Sequence, residues 1–279
     1  PIKICHVIVH STHVHIGAFV RSPDDLPGFM ERFKTESAHA INRLLGLKNR
    51  KVWCDGYDCP IICDVEKAIE KISYLYQNPS KDGMVESIDQ FPAGFSSWDI
   101  FTKRVDGTIK TPLIARDDIP QLPEGELSYD DYRRLARQLS DNKAEETFVI
   151  EPNAWMEAFD ITDPEEIDEI NRAIINSVYS KEREYAEARV LENKKVMGVH
   201  RMTAQRPGLA YSPDRKGRRT YVLCSDKALR WQIVEAIKEL ITRAREVLME
   251  WRKGNFDIPY PLGLFPPSLP KRGTLLDYA

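Results

Sequence analysis

At 279 residues, with 40 basic against 43 acidic side chains, the chain carries no global basic field, so any nucleic-acid contact must come from local patches. That length buries one large core or two small ones. No apolar run approaches a membrane span, which argues against a membrane partner. Five cysteines (Cys5, Cys54, Cys59, Cys63, Cys224) are an odd number without a disulfide-framework spacing, and they predict a reducing, cytoplasmic setting. Cys54, Cys59 and Cys63 fit no zinc-ribbon pattern and read as buried thiols on or beside a strand.

Lys3 to Val9 is apolar and β-leaning, and a polar break at His10-Ser11-Thr12 leads into a second strand ending near Val20. Side chains alternate along a strand, so His13 and His15 share one face, about 7 Å apart at Cα. Val14, Ile16 and Ala18 are then expected to line the core from the other face. Two neutral imidazoles so held make half of a metal site. His6 and His10 lie outside this pair and read as ordinary strand or turn residues, substrate contact by His10 being the alternative. Ser22-Pro23-Asp24-Asp25 starts a helix with an N-cap hydroxyl and carboxylates at the positive dipole end. Leu26, Phe29, Met30, Phe33, Ile41, Leu44 and Leu45 follow at helical spacing, and Gly46 is the stop. Its polar side carries Arg32, Lys34, His39, Asn42 and Arg43, either a solvated face or an approach to DNA.

Residues 51–64 read as two short strand pieces, Ile61-Ile62-Cys63 being the buried one. Asp64 then caps an amphipathic helix whose stripe is Val65, Ala68, Ile69, Ile72, Leu75 and Tyr76. Tyr76 belongs to that stripe. Tyr74 falls opposite it, presented outward with Lys67, Glu70, Lys71 and, one turn on, Asn78. Pro79 is expected to end the helix, since proline cannot continue the ladder. Residues 101–127 are rich in Pro and Asp and read as a linker. Helices are expected over 129–146 and from Thr162 to about Lys194. A basic loop over 204–219 carries Arg215, Lys216, Arg218 and Arg219, and Thr220 to Cys224 is strand-like. Ser225-Asp226 caps a long helix, and the proline-rich tail 256–273 is not helical.

A phenol, an amide oxygen and two imidazoles form a constellation, and their surroundings carry a resemblance. His13-Val14-His15, Tyr74-Leu75-Tyr76-Gln77-Asn78-Pro79, Gly83-Met84-Val85 and Ser96-Ser97-Trp98 follow one another in order. The stretch from His13 to Trp98 resembles the single-tyrosine HUH transposases, and within them the REP-associated tyrosine transposases. Those proteins have a His-hydrophobic-His motif, a helix ending in Tyr-Ile-x-x-Asn-Pro, a Gly-hydrophobic-Val segment and a Ser-Ser-Trp/Tyr turn. Val52-Trp53-Cys54-Asp55-Gly56-Tyr57 also looks like the family's Trp-containing strand entry. The match covers about the first hundred residues. Relatives carry a strand and helix ahead of the HUH strand, so Pro1 is expected to lie inside a longer protein.

The resemblance implies an α/β (α+β) fold, an HUH-type antiparallel sheet flanked by helices over 1–100, with a mainly helical region over 128–279. It implies cleavage and rejoining of single-stranded DNA beside a hairpin by a monomer or homodimer, with Tyr74 forming a 5′-phosphotyrosine link. An ordinary phenol, with a pKa near 10, is a poor nucleophile at neutral pH. A divalent ion, Mg²⁺ or Mn²⁺, held by His13, His15 and Asn78 would polarise the phosphoryl oxygen. Arg43 and the Arg215–Arg219 cluster are candidate phosphate contacts. Trp53, Tyr57, Phe95 and Trp98 are either stacking platforms or core. Two alternatives remain: a non-catalytic or domesticated nucleic-acid-binding relative, and a phosphohydrolase using His13 and His15 with no covalent step.

Overall fold

A computed structural model describes residues 2–47, 50–92, 94–103, 107–112, 145–204, 220–262 and 264. Two strands, β1 (Ile2–Val9) and β2 (Val14–Val20), form an antiparallel hairpin in which Val9 faces Val14, Ile8 faces His15 and Val7 faces Ile16. The register shifts between Ile4 and His6, where Cys5 has no opposite number. After the hairpin come α1 (Asp25–Leu44), β3 (Ile61–Ile62), α2 (Val65–Lys81) and α3 (Trp98–Lys103). Then follow β4 (Thr108–Pro112), β5 (Glu145–Val149), α4 (Pro164–Leu191), α5 (Val199–Thr203), β6 (Val222–Leu223) and α6 (Lys227–Arg252). The chain is therefore mixed helix and strand. Its sheets are small: β1–β2 and β4–β5 are antiparallel pairs, and β3–β6 is a parallel one. A bridge from Ile4 to Ile150 joins the end of β5 to the outer side of β1.

The core lies between the hairpin and α2, and between α2 and α4. Ile8, Cys5, Ile72, Tyr76, Trp98, Met156, Ile174 and Val178 all belong to it. It draws on both sides of the expected 100/128 boundary, and α3 occupies the start of the stretch read as linker. The seam between α2 and α4 is polar on the α2 side. Ser73, Gln77 and Ser80, spaced i, i+4 and i+7, each meet α4: the Ser73 hydroxyl at Ile174 O (3.5 Å), the Gln77 amide at Ser177 O (3.3 Å), and Ser80 O accepting from Arg189 Nη1 (2.7 Å). Buried polar atoms so paired fix the helix–helix register.

Several local expectations hold. Asp64 accepts from Lys67 N (2.7 Å) at the start of α2, and Asp226 from Ala228 N (2.7 Å) at the start of α6. Gly46 takes a positive φ of 65° just past α1, as a helix stop requires.

Others are corrected. The helix runs through Pro79 to Lys81, because Pro79 sits in the last turn, where its missing N–H removes a single bond. Its carbonyl accepts from Met84 N (2.8 Å), and Gly83, at φ 65°, turns the chain out. At α1 the N-cap is Asp24, not Ser22, and it makes no side-chain cap bond. Of 51–64 only Ile61–Ile62 is strand, and it is exposed, because its one partner is the two-residue β6. Cys54 and Cys59 are exposed, although Lys34 of α1 holds the segment by donating to Cys54 O (2.8 Å) and Gly56 O (2.9 Å). The buried face of the hairpin is lined by Cys5 and Ile8 of β1, whereas Ala18 is exposed and Phe19, two residues on from Gly17, packs on the core. Thus the His15–Gly17–Phe19 face of β2 is the inward one, while His13, just before the strand, stays exposed. Gly17 lies against His6, whose Cβ would stand 3.4 Å from a Cβ at residue 17, an ordinary van der Waals contact. The helix expected over 129–146 lies outside the described residues except for Glu145 and Glu146, which begin β5.

Candidate active site

The tip of the hairpin gathers three imidazoles. His10 N donates to His13 O (2.8 Å), so the loop curls back, and the His10 and His13 rings stack in parallel with centroids 4.6 Å apart. The His13 and His15 rings meet edge to face at 4.8 Å, and His10 and His15 at 6.0 Å. From α2, the Asn78 side chain, itself buried, comes within 3.1 Å (Nδ2) of His15 Nε2. Turning that amide by 180° would offer Oδ1 to the same region. Of the expected trio, Asn78 meets His15, and His13 reaches Asn78 only through the His15 ring; Asn78 is buried rather than outward.

Burial, with a smaller contribution from His13, pushes the His15 imidazole down to about 4; burial, then His13 and His15, does the same to His10. Both are neutral near pH 7 and keep a ring lone pair, the form that binds metal. The His10 ring is buried, yet among the described residues neither of its nitrogens has a hydrogen-bond partner. An unpaired buried polar group costs about 1–3 kcal/mol, which is unusual for a side chain with no further role. His10 is thus the residue that the sequence pattern undervalued. Its spacing three residues before His13 is the signal, and only the curled loop makes it meaningful. Among the described residues, no three His, Cys, Asp or Glu side chains are placed to hold a metal ion together. The candidate donor set consequently leans on the Asn78 amide.

The two tyrosines of α2 separate as expected. Tyr76 is fully buried, with its hydroxyl 2.8 Å from both His6 Nδ1 and Ser97 Oγ, and burial drives its acidity well below that of an ordinary phenol. Tyr74 is 39% exposed, and its hydroxyl accepts a hydrogen bond from Lys81 Nζ (3.1 Å). Tyr74, Asn78 and Lys81 share one helix face. The Ser96-Ser97-Trp98 turn does structural work. The Ser97 hydroxyl accepts from Val7 N (2.8 Å), locking the turn onto β1, and Trp98 Nε1 donates to Asp89 (2.7 Å), tying it to the helical turn over 88–90.

A cleft of about 230 Å³ opens beside the histidines, between His10, Ser11, Thr12 and His13 on one wall and Asp82, Met84 and Met197 on the other. Next to it, a wider depression of about 590 Å³ is lined by Gly83, Lys195, Val196, Met197, Arg201 and Ala204. Backbone bonds from Met197 N to Gly83 O (2.7 Å) and from Gly198 N to Met84 O (2.9 Å) lay the segment after α4 along the turn after α2. That placement, invisible in the sequence, brings Lys195 and Arg201 near the cleft. Of the expected DNA contacts, Trp53 instead packs on α1, donating to Ser37 Oγ (2.9 Å) and lying 5.7 Å from the Phe33 ring. Trp98 is core, while Phe95 and Tyr57 keep exposed rings. Arg43 sits, half-buried, in the last turn of α1. Arg215, Lys216, Arg218 and Arg219 lie outside the described residues. No family model matches this chain, and no curated protein or solved structure is significantly similar to it.

Proposed function

We propose that the protein cleaves and rejoins single-stranded DNA, beside a hairpin, through a 5′-phosphotyrosine intermediate on Tyr74. The observation that carries this reading is the contact between Asn78 on α2 and His15 on β2, with the exposed Tyr74 hydroxyl one helical turn away. It ties a reachable phenol to a pair of strand imidazoles, the parts that the resemblance to single-tyrosine HUH transposases calls for. His13, His15 and Asn78 would hold a divalent ion, Mg²⁺ or Mn²⁺; the neutral form of His15 suits that role. Such an ion, when bound, supplies Lewis-acid polarisation of the scissile phosphate.

The protein's own share is positioning. Tyr74 lies in a helix held on two sides, by the Tyr76–His6–Ser97 hydrogen bonds and by the polar seam with α4, so the backbone that carries it is anchored to both the hairpin and α4. The phenol oxygen bonds to phosphorus, the bond to the 3′ oxygen breaks, and a 3′-hydroxyl is released. Attack by a second 3′-hydroxyl reverses the step and restores phenol. A duplex holds its backbone away from a helix-borne phenol, whereas a single strand bends into an open cleft. Lys195 and Arg201 favour that path by attracting phosphates.

Three labelled substrates test the proposal: a hairpin with a single-stranded flank, an unstructured single strand, and a full duplex. Cutting of the hairpin substrate with a covalent protein–DNA product is expected, with the duplex intact. Binding without an adduct would favour the non-catalytic relative, and turnover without a trapped intermediate would favour the phosphohydrolase.

A further inference from the structure

We infer that Lys81 is a catalytic residue whose ammonium group stabilises negative charge on the Tyr74 oxygen, both as it attacks and as it leaves. The inference rests on the strand-cleavage reading of Tyr74 and adds a second side chain to its chemistry. Lys81 Nζ lies 3.1 Å from the Tyr74 hydroxyl and 4.7 Å from the centre of its ring, so a single cation meets both the reacting oxygen and the π face. The contact exists because α2 continues past Pro79. Seven residues separate the two side chains, two helical turns, and a helix ending at Pro79 would leave Lys81 off this face.

The surrounding charges favour a cation here. The bond to Tyr74, followed by the nearby Tyr74, Asp82 and Tyr185 groups, outweighs desolvation and raises the Lys81 pKa, so the side chain is protonated at neutral pH and acts as donor, not base. Tyr185 belongs to α4, which packs against α2. Lys71, one turn earlier on α2, stands 5.7 Å from the Tyr74 ring but is paired with Glu70 (2.6 Å). Among the described residues, Lys81 is therefore the cation in contact with the reacting atom.

In the forward step the Tyr74 oxygen bonds to phosphorus as the bond to the 3′ oxygen breaks. The phenol proton passes to solvent, and the departing 3′ oxygen takes a proton from solvent. Lys81 keeps its proton throughout. In rejoining, the phosphorus–phenol bond breaks and the same ammonium group receives the emerging phenolate.

Two measurements test this, one without DNA. In the free protein, the rate at which an aryl sulfonyl fluoride modifies Tyr74, followed by peptide mass spectrometry, reports the nucleophilicity of that oxygen. Lys81→Met should slow it about tenfold, less than for a water-excluded donor because the site is open, and Lys81→Arg should retain most of it. With the hairpin substrate, Lys81→Met should slow adduct formation and rejoining alike, leave DNA affinity within about fivefold, and be rescued by added ethylammonium; one single-strand phosphate contact, at a slope of about 0.7, is worth about that much at ~0.1 M salt. Unchanged Tyr74 modification in Lys81→Met, or an affinity loss that accounts for the whole rate loss, would overturn the inference. Lys81-dependent modification in a protein that forms no DNA adduct would instead sink the strand-cleavage reading and leave the activated phenol standing.

Discussion

The two sides of α2 solve opposite problems with the same residue type. On one side Tyr76 is sealed among Trp98, Phe101 and His6, its hydroxyl satisfied by His6 and Ser97, and it serves to hold helix to hairpin. On the other side Tyr74 stands in solvent reach beside Lys81 and one turn from the Asn78–His15 contact. Two residues of separation, about 200° around the helix, are enough to turn a buried strut into a candidate nucleophile. Position on the helix face decides the role.

The sharpest way to break this contrast is to exchange the hydroxyls one at a time. Tyr74→Phe should abolish adduct formation while leaving DNA binding within about threefold and stability within about 0.5 kcal/mol, since the site is exposed. Tyr76→Phe should do the reverse, keeping the chemistry and lowering stability by about 1–2 kcal/mol, because His6 and Ser97 lose a buried partner. Chemical denaturation and a gel of trapped product read both. The next largest effect falls on the hairpin tip. His13→Ala or His15→Ala should remove metal-dependent cutting, with Asn78→Ala milder because an amide is the weakest donor. Activity undiminished by chelator would contradict the role given to these side chains.

A smaller effect concerns acid. His6, His10 and His15 are all held below the ordinary imidazole range by burial, to about 3, 4 and 4. The unfolded chain therefore binds protons first, so stability is complete above pH ~6.5 and declines as the pH falls towards 4. His10→Phe, which keeps the stack on His13, should flatten part of that decline in a pH series of denaturation midpoints. The smallest expected effect is electrostatic. Lys195→Glu with Arg201→Glu should weaken DNA binding and reduce the slope of log affinity against log salt by about 0.7 per lost contact. An unchanged slope would remove this segment from the DNA path.

Much of the site was legible before any fold was known. The His13/His15 face, the Asp64 cap and the opposite placement of Tyr74 and Tyr76 follow from strand and helix periods alone. The rest depends on long-range packing. Alternation says that His13 and His15 share a face, but not that His15 turns inward while His13 stays exposed; the packing of Phe19 on the core and of Asn78 on His15 decides that. Periodicity is silent about His10, which reaches the cluster through a loop closed by His10 N and His13 O. Proline rules predict the end of α2 two residues early, because carbonyls left near Pro79 are taken up by Met84 and Asp82. The end of α4, expected near Lys194, falls at Leu191, but the return of residues 195–204 along the Gly83–Met84 turn is a long-range contact that no local pattern reveals.

The central claim is that the exposed phenol of α2 becomes covalently joined to DNA. Its most direct test is to trap the product of a hairpin substrate with a single-stranded flank, digest it, and locate the nucleotide by mass spectrometry. The account predicts a 5′-linked nucleotide on Tyr74, in a peptide spanning α2, and none on Tyr76 or Tyr57. A nucleotide on another residue, or efficient cutting with no linked peptide, would contradict it.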